Sequence, residues 1–263
     1  MKRKQNTVRL FDEEVDVVSG ENENAESSIV KKVPEVKTWS IPLQEIYDNA
    51  GMRLDASHYN QETSIAISEL GKSHFSLKSL SELADIRLPG QFVRIWAKEE
   101  IYGLPYVNAT DLMSLTGIGN FSGTPRYLSK KTEVDMRELV IHEGWLLMTC
   151  SGTIGRVFYV PKRLDGWVAT HDLIRIIPNH VPVGFLHSYL SSDIAQKQIA
   201  GYTHGGQIDH VTHHQIGNVI VPLLPEEQMS KLHKRTMQAI DRREEAIASF
   251  SEISYELKCL VTQ

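Results

Sequence analysis

The sequence predicts an α+β chain. Short strands form a small mixed or antiparallel sheet flanked by helices, and one long coiled-coil-forming helix follows at the C-terminus. Three observations predict this. Between Pro89 and Pro178, short apolar runs alternate with Gly, Pro and Asn punctuation, the texture of closely spaced strands. Helical spacing lies before and after that stretch. From Pro225 onward there is no glycine and no further proline, so nothing interrupts a helix there.

The elements follow in order. Residues 1–38 mix basic and acidic side chains around "SGENENAESS" with little to bury, which predicts a flexible charged arm. Its "TVRLFDEEVDVV" could still dock as a strand. Residues 39–224 read as the globular domain. "IPLQEIYDNAG" has helical spacing through Leu43, Ile46 and Tyr47, with Gly51 as a stop. "RLDASHYNQETSIAISELGKS" adds a turn and a second helix, and "LKSLSELADI" a short amphipathic one. "FVRIWA", "LPYVNA", "ELVI", "GWLLMTC", "RVFYVP", "GWVAT" and "LIRIIP" read as strands. "GFLHSYLSSDIAQKQIAGY" returns to helical spacing, and "NVIVPLL" is a last strand.

Residues 225–263 form the final helix, roughly 36 residues and about 54 Å long. Pro225 suits its first turn, and Glu226 and Glu227 complement its dipole. A stripe through Met229, Leu232, Ile240, Ile247, Phe250, Ile253, Leu257 and Leu260 persists for several heptads. It calls for a coiled-coil partner; a helix folded back on its own domain is the alternative.

Composition narrows the class. A net charge of −5 with 41% hydrophobic and 23% charged residues is an ordinary globular balance. It excludes a chain coated in basic residues, though not a local basic surface. Cys150 and Cys259 are far apart and lack metal-ligand spacing, pointing to a reduced, cytoplasmic setting. No membrane span or secretory signal is legible.

The "CSGTIGR" turn, residues 150–156, packs two glycines, hydroxyls and a cation between two apolar runs. It matches neither the nucleotide P-loop nor the dinucleotide fingerprint, and strand rather than helix follows it. Gly152 and Gly155 instead suit a hairpin, leaving Ser151, Thr153 and Arg156 to grip a DNA phosphate or base edge. In "THGGQIDHVTHH", His204, His210, His213 and His214 cluster without the Glu of H-E-x-x-H or a complementary ligand set, so no metal is assigned. A metal-dependent histidine enzyme and histidines on an ordinary helical turn both stay open. Gly205-Gly206-Gln207 forms a tip whose amide can pair with adenine. No catalytic Ser-His-Asp order, carboxylate pair or methyltransferase loop appears, so the chain reads as non-catalytic.

The series "SLKSLSELADI", "YGLPYVNATDL", "LLMTCSGTIGRVFYVP", "THDLIRIIP" and "GGQIDHVTHHQIGNVIVPLLPEEQ", then the long helix, resembles a target-recognition domain of the specificity (S) subunit of Type I restriction–modification systems. The likeness runs from about Arg53 to Leu260. It implies a subunit that reads half of a bipartite DNA site and directs a separate adenine methyltransferase, which holds the S-adenosylmethionine; this chain itself needs no cofactor. A restriction or translocase subunit, or a related phage-defence complex, is a further implied partner. One recognition domain and one helix suggest a half-subunit, and hence an antiparallel homodimer through the helix. The DNA-facing residues expected are Arg94, Lys98, Ser151, Gly152, Thr153, Arg156, His204, Gly205, Gly206 and Gln207. The competing reading is a coiled-coil adaptor whose globular domain binds protein.

Overall fold

The computed structural model describes residues 6–7, 38–41, 43–48, 59, 61–116, 126–203 and 209–262. The chain divides into two compact units, Met1–Gln61 and Glu62–Gln263. In the first, β1 (Asn6–Thr7) pairs antiparallel with β2 (Thr38–Trp39), and α1 spans Leu43–Asp48. The rest of the charged arm lies outside the described residues.

The second unit carries the core. It runs α2 (Gln61–Lys72), β3 (Ser76–Ser79), α3 (Leu80–Leu83), β4 (Ala84–Arg87), β5 (Trp96–Ala97), β6 (Gly103–Val107), α4 (Ala109–Thr116) and β7 (Arg126–Ser129). Next come α5 (Met136–Leu139), β8 (Leu146–Thr149), β9 (Val157–Tyr159), β10 (Val168–Ala169) and β11 (Leu173–Pro178). It ends with α6 (Val183–Leu190), α7 (Asp193–Tyr202), α8 (His213–Gly217), β12 (Ile220–Leu223) and α9 (Glu226–Val261).

Two four-stranded sheets result, ordered β4-β11-β8-β9 and β10-β6-β7-β5, plus the pair β12-β3. All pairings in them are antiparallel except β10 with β6. The fold is thus α+β with small antiparallel and mixed sheets. Strand β8 is buried at every residue because the pleat sends its side chains to two cores. Leu146 and Met148 join a cluster with Phe185, Leu186 and Ile216, on the side of the helices. Leu147 joins Phe158 and Leu173 with Val107 and Ala169 of the other sheet. A continuous apolar run, not an alternating one, is what such a strand requires.

Three local expectations are corrected. "LKSLSELADI" holds a single helical turn between two strands: the Glu82 carboxylate accepts from the Ser79 N–H at 2.8 Å, closing that turn, while β12 and β11 capture its flanks as β3 and β4. In "ELVI", Glu138 and Leu139 belong to α5, because Asp135 caps it by accepting from the Arg137 N–H. The run 183–202 breaks into two helices at Ser191 and Ser192, where Ser192 caps α7.

The larger correction concerns α9. Its first two-thirds lie on the domain itself, so the chain does supply a surface for the stripe. Met229, Leu232, Met237 and Ile240 pack into the main core, and Ile240 and Ile247 are each 5% exposed. Gly184 of α6 makes the approach possible: a Cβ there would sit 2.7 Å from the His233 carbonyl oxygen, and its N–H donates to His233 Nδ1 at 3.1 Å. Ser188 and Thr236 share a hydroxyl–hydroxyl bond, and Arg163 holds Glu244 at 2.5 Å. Arg243 lies 3.4 Å from Glu244, the next residue of the helix. Beyond Ile247 the stripe leaves the domain: Phe250, Ile253, Leu257 and Leu260 are exposed. Met229, Leu232, Ile240 and Ile247 therefore serve intramolecular packing.

Candidate nucleic-acid interface

The 150–156 turn is the connection of the β8–β9 hairpin. Gly152 and Gly155 adopt φ of 68° and 83°, the left-handed region that glycine enters without a Cβ penalty. Hydrogen bonds inside the turn define its shape. Thr149 Oγ1 donates to the Thr153 carbonyl at 2.5 Å and accepts from the Arg156 N–H at 3.1 Å, and the Gly155 N–H donates to the Thr149 carbonyl at 3.0 Å. From below, Gln196 of α7 donates to the Gly155 carbonyl at 2.9 Å, and a Cβ on Gly155 would meet Gln196 Oε1 at 2.7 Å. Gly152, Thr153 and Arg156 are exposed on this braced tip.

Cys150 is the buried anchor of the turn. Burial first, and the charge of Asp172 second, push its thiol up to about 11, so it stays protonated and unreactive at neutral pH.

The second sequence feature runs alongside the first. The Gly152 N–H donates to the Asp209 carbonyl at 3.2 Å, the Val211 N–H donates to the Cys150 carbonyl at 3.0 Å, and Ser151 bridges His210. His204, Gly205, Gly206 and Gln207 lie outside the described residues; their following flank, Asp209–Val211, lies beside the hairpin. His213 and His214 open α8, capped by Thr212, which accepts from the Gln215 N–H at 3.2 Å, and their rings are 4.0 Å apart. Burial, then the neighbouring His214, holds His213 below the usual histidine value. Among the described residues, no three His, Cys, Asp or Glu side chains gather as a metal would require.

Arg94 is linked to the hairpin through residues that sequence reasoning missed. Its Nε donates to the Tyr106 hydroxyl at 2.7 Å and its Nη2 to Thr170 Oγ1 at 3.0 Å, and Asp172 lies 3.7 Å away. The Thr170 hydroxyl donates to Asp172 at 3.1 Å, and Ser151 Oγ donates to the same carboxylate at 3.4 Å. Asp172 thus joins Arg94 of the 91–95 segment to Ser151 of the hairpin. Arg94 is therefore a positioned, partly neutralised cation rather than a loose one. Lys98, just past β5, is exposed. Beside Arg94, an open groove of about 630 Å³ is lined by Gln91, Phe92, Val93, Ile95, Glu133 and His171. The one signal available for the missed acid was its place in "THDLIRIIP", directly before a strand.

These features define a class: a two-sheet scaffold that displays a rigid hairpin tip and linked polar side chains, and carries a long helix that outruns its own domain. Residues 72–249 match the family model described as the Type I restriction modification DNA specificity domain, and the chain belongs to that family. Three solved structures are similar at 16% identity. One comes from work on complex assembly and conformational transition of the type I R-M system, with a TM-score of 0.47, covering 82% of this chain and 53% of that one. Another is the Type-I restriction-modification system S subunit from M. genitalium, with a TM-score of 0.44, covering 71% and 44%. The third is the HsdS subunit from Thermoanaerobacter tengcongensis, with a TM-score of 0.43, covering 80% and 50%. The chain thus spans about half the length of these three chains. No curated protein matches it. Among the described residues, no helix is long and apolar enough to cross a membrane.

Proposed function

We propose that this chain is a non-catalytic, sequence-reading subunit that directs a partner adenine methyltransferase to DNA. The S-adenosylmethionine belongs to that partner. The observation that carries the reading is the braced 150–156 hairpin tip, joined through Asp172 to Arg94. Exposed donors on a fixed backbone suit base edges and phosphates. Ser151, Gly152, Thr153, Arg156, Arg94 and Lys98 are the DNA-facing set, and His204, Gly205, Gly206 and Gln207 complete it. Residues 1–38 act as an arm, 39–224 as the reading domain, and 225–263 as the assembly helix. Phe250, Ile253, Leu257 and Leu260 receive a partner helix, either the methyltransferase or a second copy.

Methylation-sensitive sequencing of the host with and without this gene tests the proposal. A methylated motif that disappears on deletion supports it; an unchanged methylome overturns it. Arg156→Ala should cost about 1–3 kcal/mol of binding if Arg156 makes a bidentate base contact, read as relaxation at one motif position.

A further inference from the structure

Four of the eight exposed arginines among the described residues are matched to carboxylates: Arg87 to Asp85, Arg137 to Asp135, Arg94 to Asp172 and Arg163 to Glu244. Arg126, the first residue of β7, is held differently. Its guanidinium carbon lies 4.4 Å from the centroid of the Trp96 ring. Trp96 itself meets Tyr106 edge-on at 5.1 Å between centroids. Strand register explains the stack: Arg126 is opposite Tyr106, and Trp96 opposite Leu128, so all four side chains share one face of the sheet. Tyr106 also accepts the hydrogen bond of Arg94. A continuous series of contacts therefore runs from Ser151 through Asp172, Arg94, Tyr106 and Trp96 to Arg126.

The stack has a chemical consequence. An aromatic face engages the π surface of a guanidinium and leaves its in-plane N–H edge pointing outward. A carboxylate would occupy that edge and cancel the charge. Arg126 is exposed, and among the described residues no carboxylate pairs with it. Its splint also lowers the ordering cost of a two-pronged contact. In a chain of net charge −5, a preorganised and uncancelled arginine beside the proposed DNA face is a specific device.

We infer that Arg126, splinted on Trp96, is a specificity-determining residue that reads a guanine through its O6 and N7 acceptors. This rests on the DNA-reading proposal above. The test maps methylation in the host expressing the wild-type chain, Arg126→Ala or Arg126→Lys, with circular dichroism of each purified variant as a fold control. The expected result is a motif in which one G·C position becomes degenerate. Discrimination there should fall roughly 10–100-fold with either variant, because lysine keeps the charge but lacks the fork. Four results overturn the inference: an unaltered motif; a uniform loss of methylation by Arg126→Ala that Arg126→Lys restores, which marks a phosphate contact; loss of all methylation by both variants while folded; and unfolding of both. If the wild-type gene produces no motif, the DNA-reading proposal fails and this inference falls with it.

Discussion

Cutting Ile240 and Ile253 to alanine should have very different consequences, although both lie on the same apolar stripe. Ile240 is 5% exposed within the main core; Ile253 is 57% exposed. Ile240→Ala removes three buried carbons, about 2.4 kcal/mol at ~0.8 kcal/mol each, and the remaining cavity adds to this. The expected loss is about 2–4 kcal/mol, or on the order of 10 °C in Tm for a chain of this size. Ile253→Ala should stay within about 0.5 kcal/mol. Urea unfolding followed by far-UV circular dichroism, at sub-micromolar chain, separates the two. Gly184→Ala is the companion test: its methyl would run into the His233 backbone, at 2.7 Å from the carbonyl oxygen and 3.0 Å from Cα, and should cost about 1–3 kcal/mol by overpacking. Equal effects of the two isoleucine variants, or a negligible one at Ile240, would refute the seating of α9 on its own domain.

Two further outcomes follow from buried polar groups. Arg175 is 1% exposed, and its guanidinium donates to the carbonyls of Leu139, Ala169, Thr170 and Leu173; Arg175→Met orphans these acceptors and should cost on the order of 3 kcal/mol or more in urea unfolding. His187, held below its ordinary value of 6.5 by burial and by Arg243, takes up its proton less readily folded than unfolded. Its stabilising share is complete above pH 6.5 and is lost as pH falls from there through the depressed value, so His187→Gln should flatten the fall in urea midpoint between pH 7 and 5.

What was legible in the sequence was local. The hairpin could be read because Gly152 and Gly155 answer a backbone demand within seven residues. Strand β8 could be read because a strand buried on both faces needs "LLMT" without alternation. The extent of α9 followed from the absence of glycine and proline. Side-chain partners distant in sequence were not legible. Nothing in the spacing of Arg94, Tyr106, Thr170 and Asp172 announces that they meet, and Arg126 on Trp96 depends on the register of three strands. The stripe shows the same limit. Its period told that one face would be buried; that Gly184, Ser188 and Arg163 would receive its first two-thirds depends on tertiary packing.

That seating reshapes the assembly. The apolar face left over, Phe250 to Leu260, is about 15 Å long at 1.5 Å per residue. The outward face of the seated part carries Lys231, Lys234, Arg235, Gln238, Asp241 and Arg242, which offers a second copy little to bury. Two such ends crossing antiparallel bury only a few side chains each, and at ~1.5–3 kcal/mol per fully buried side chain they must also offset several kcal/mol of association entropy. We therefore expect the isolated chain to be monomeric at micromolar concentration in light scattering, and to be held as a pair only when the methyltransferase adds its own surface. A two-fold pair would still force the two half-sites to be inverted copies, because each reading domain meets DNA in the same way. Ile253→Asp with Leu257→Asp should then abolish methylation while leaving the unfolding midpoint within about 0.5 kcal/mol of wild type. A tight dimer of the isolated chain at nanomolar concentration would refute the argument from the short free face. A non-palindromic motif that requires this gene alone would refute the pair.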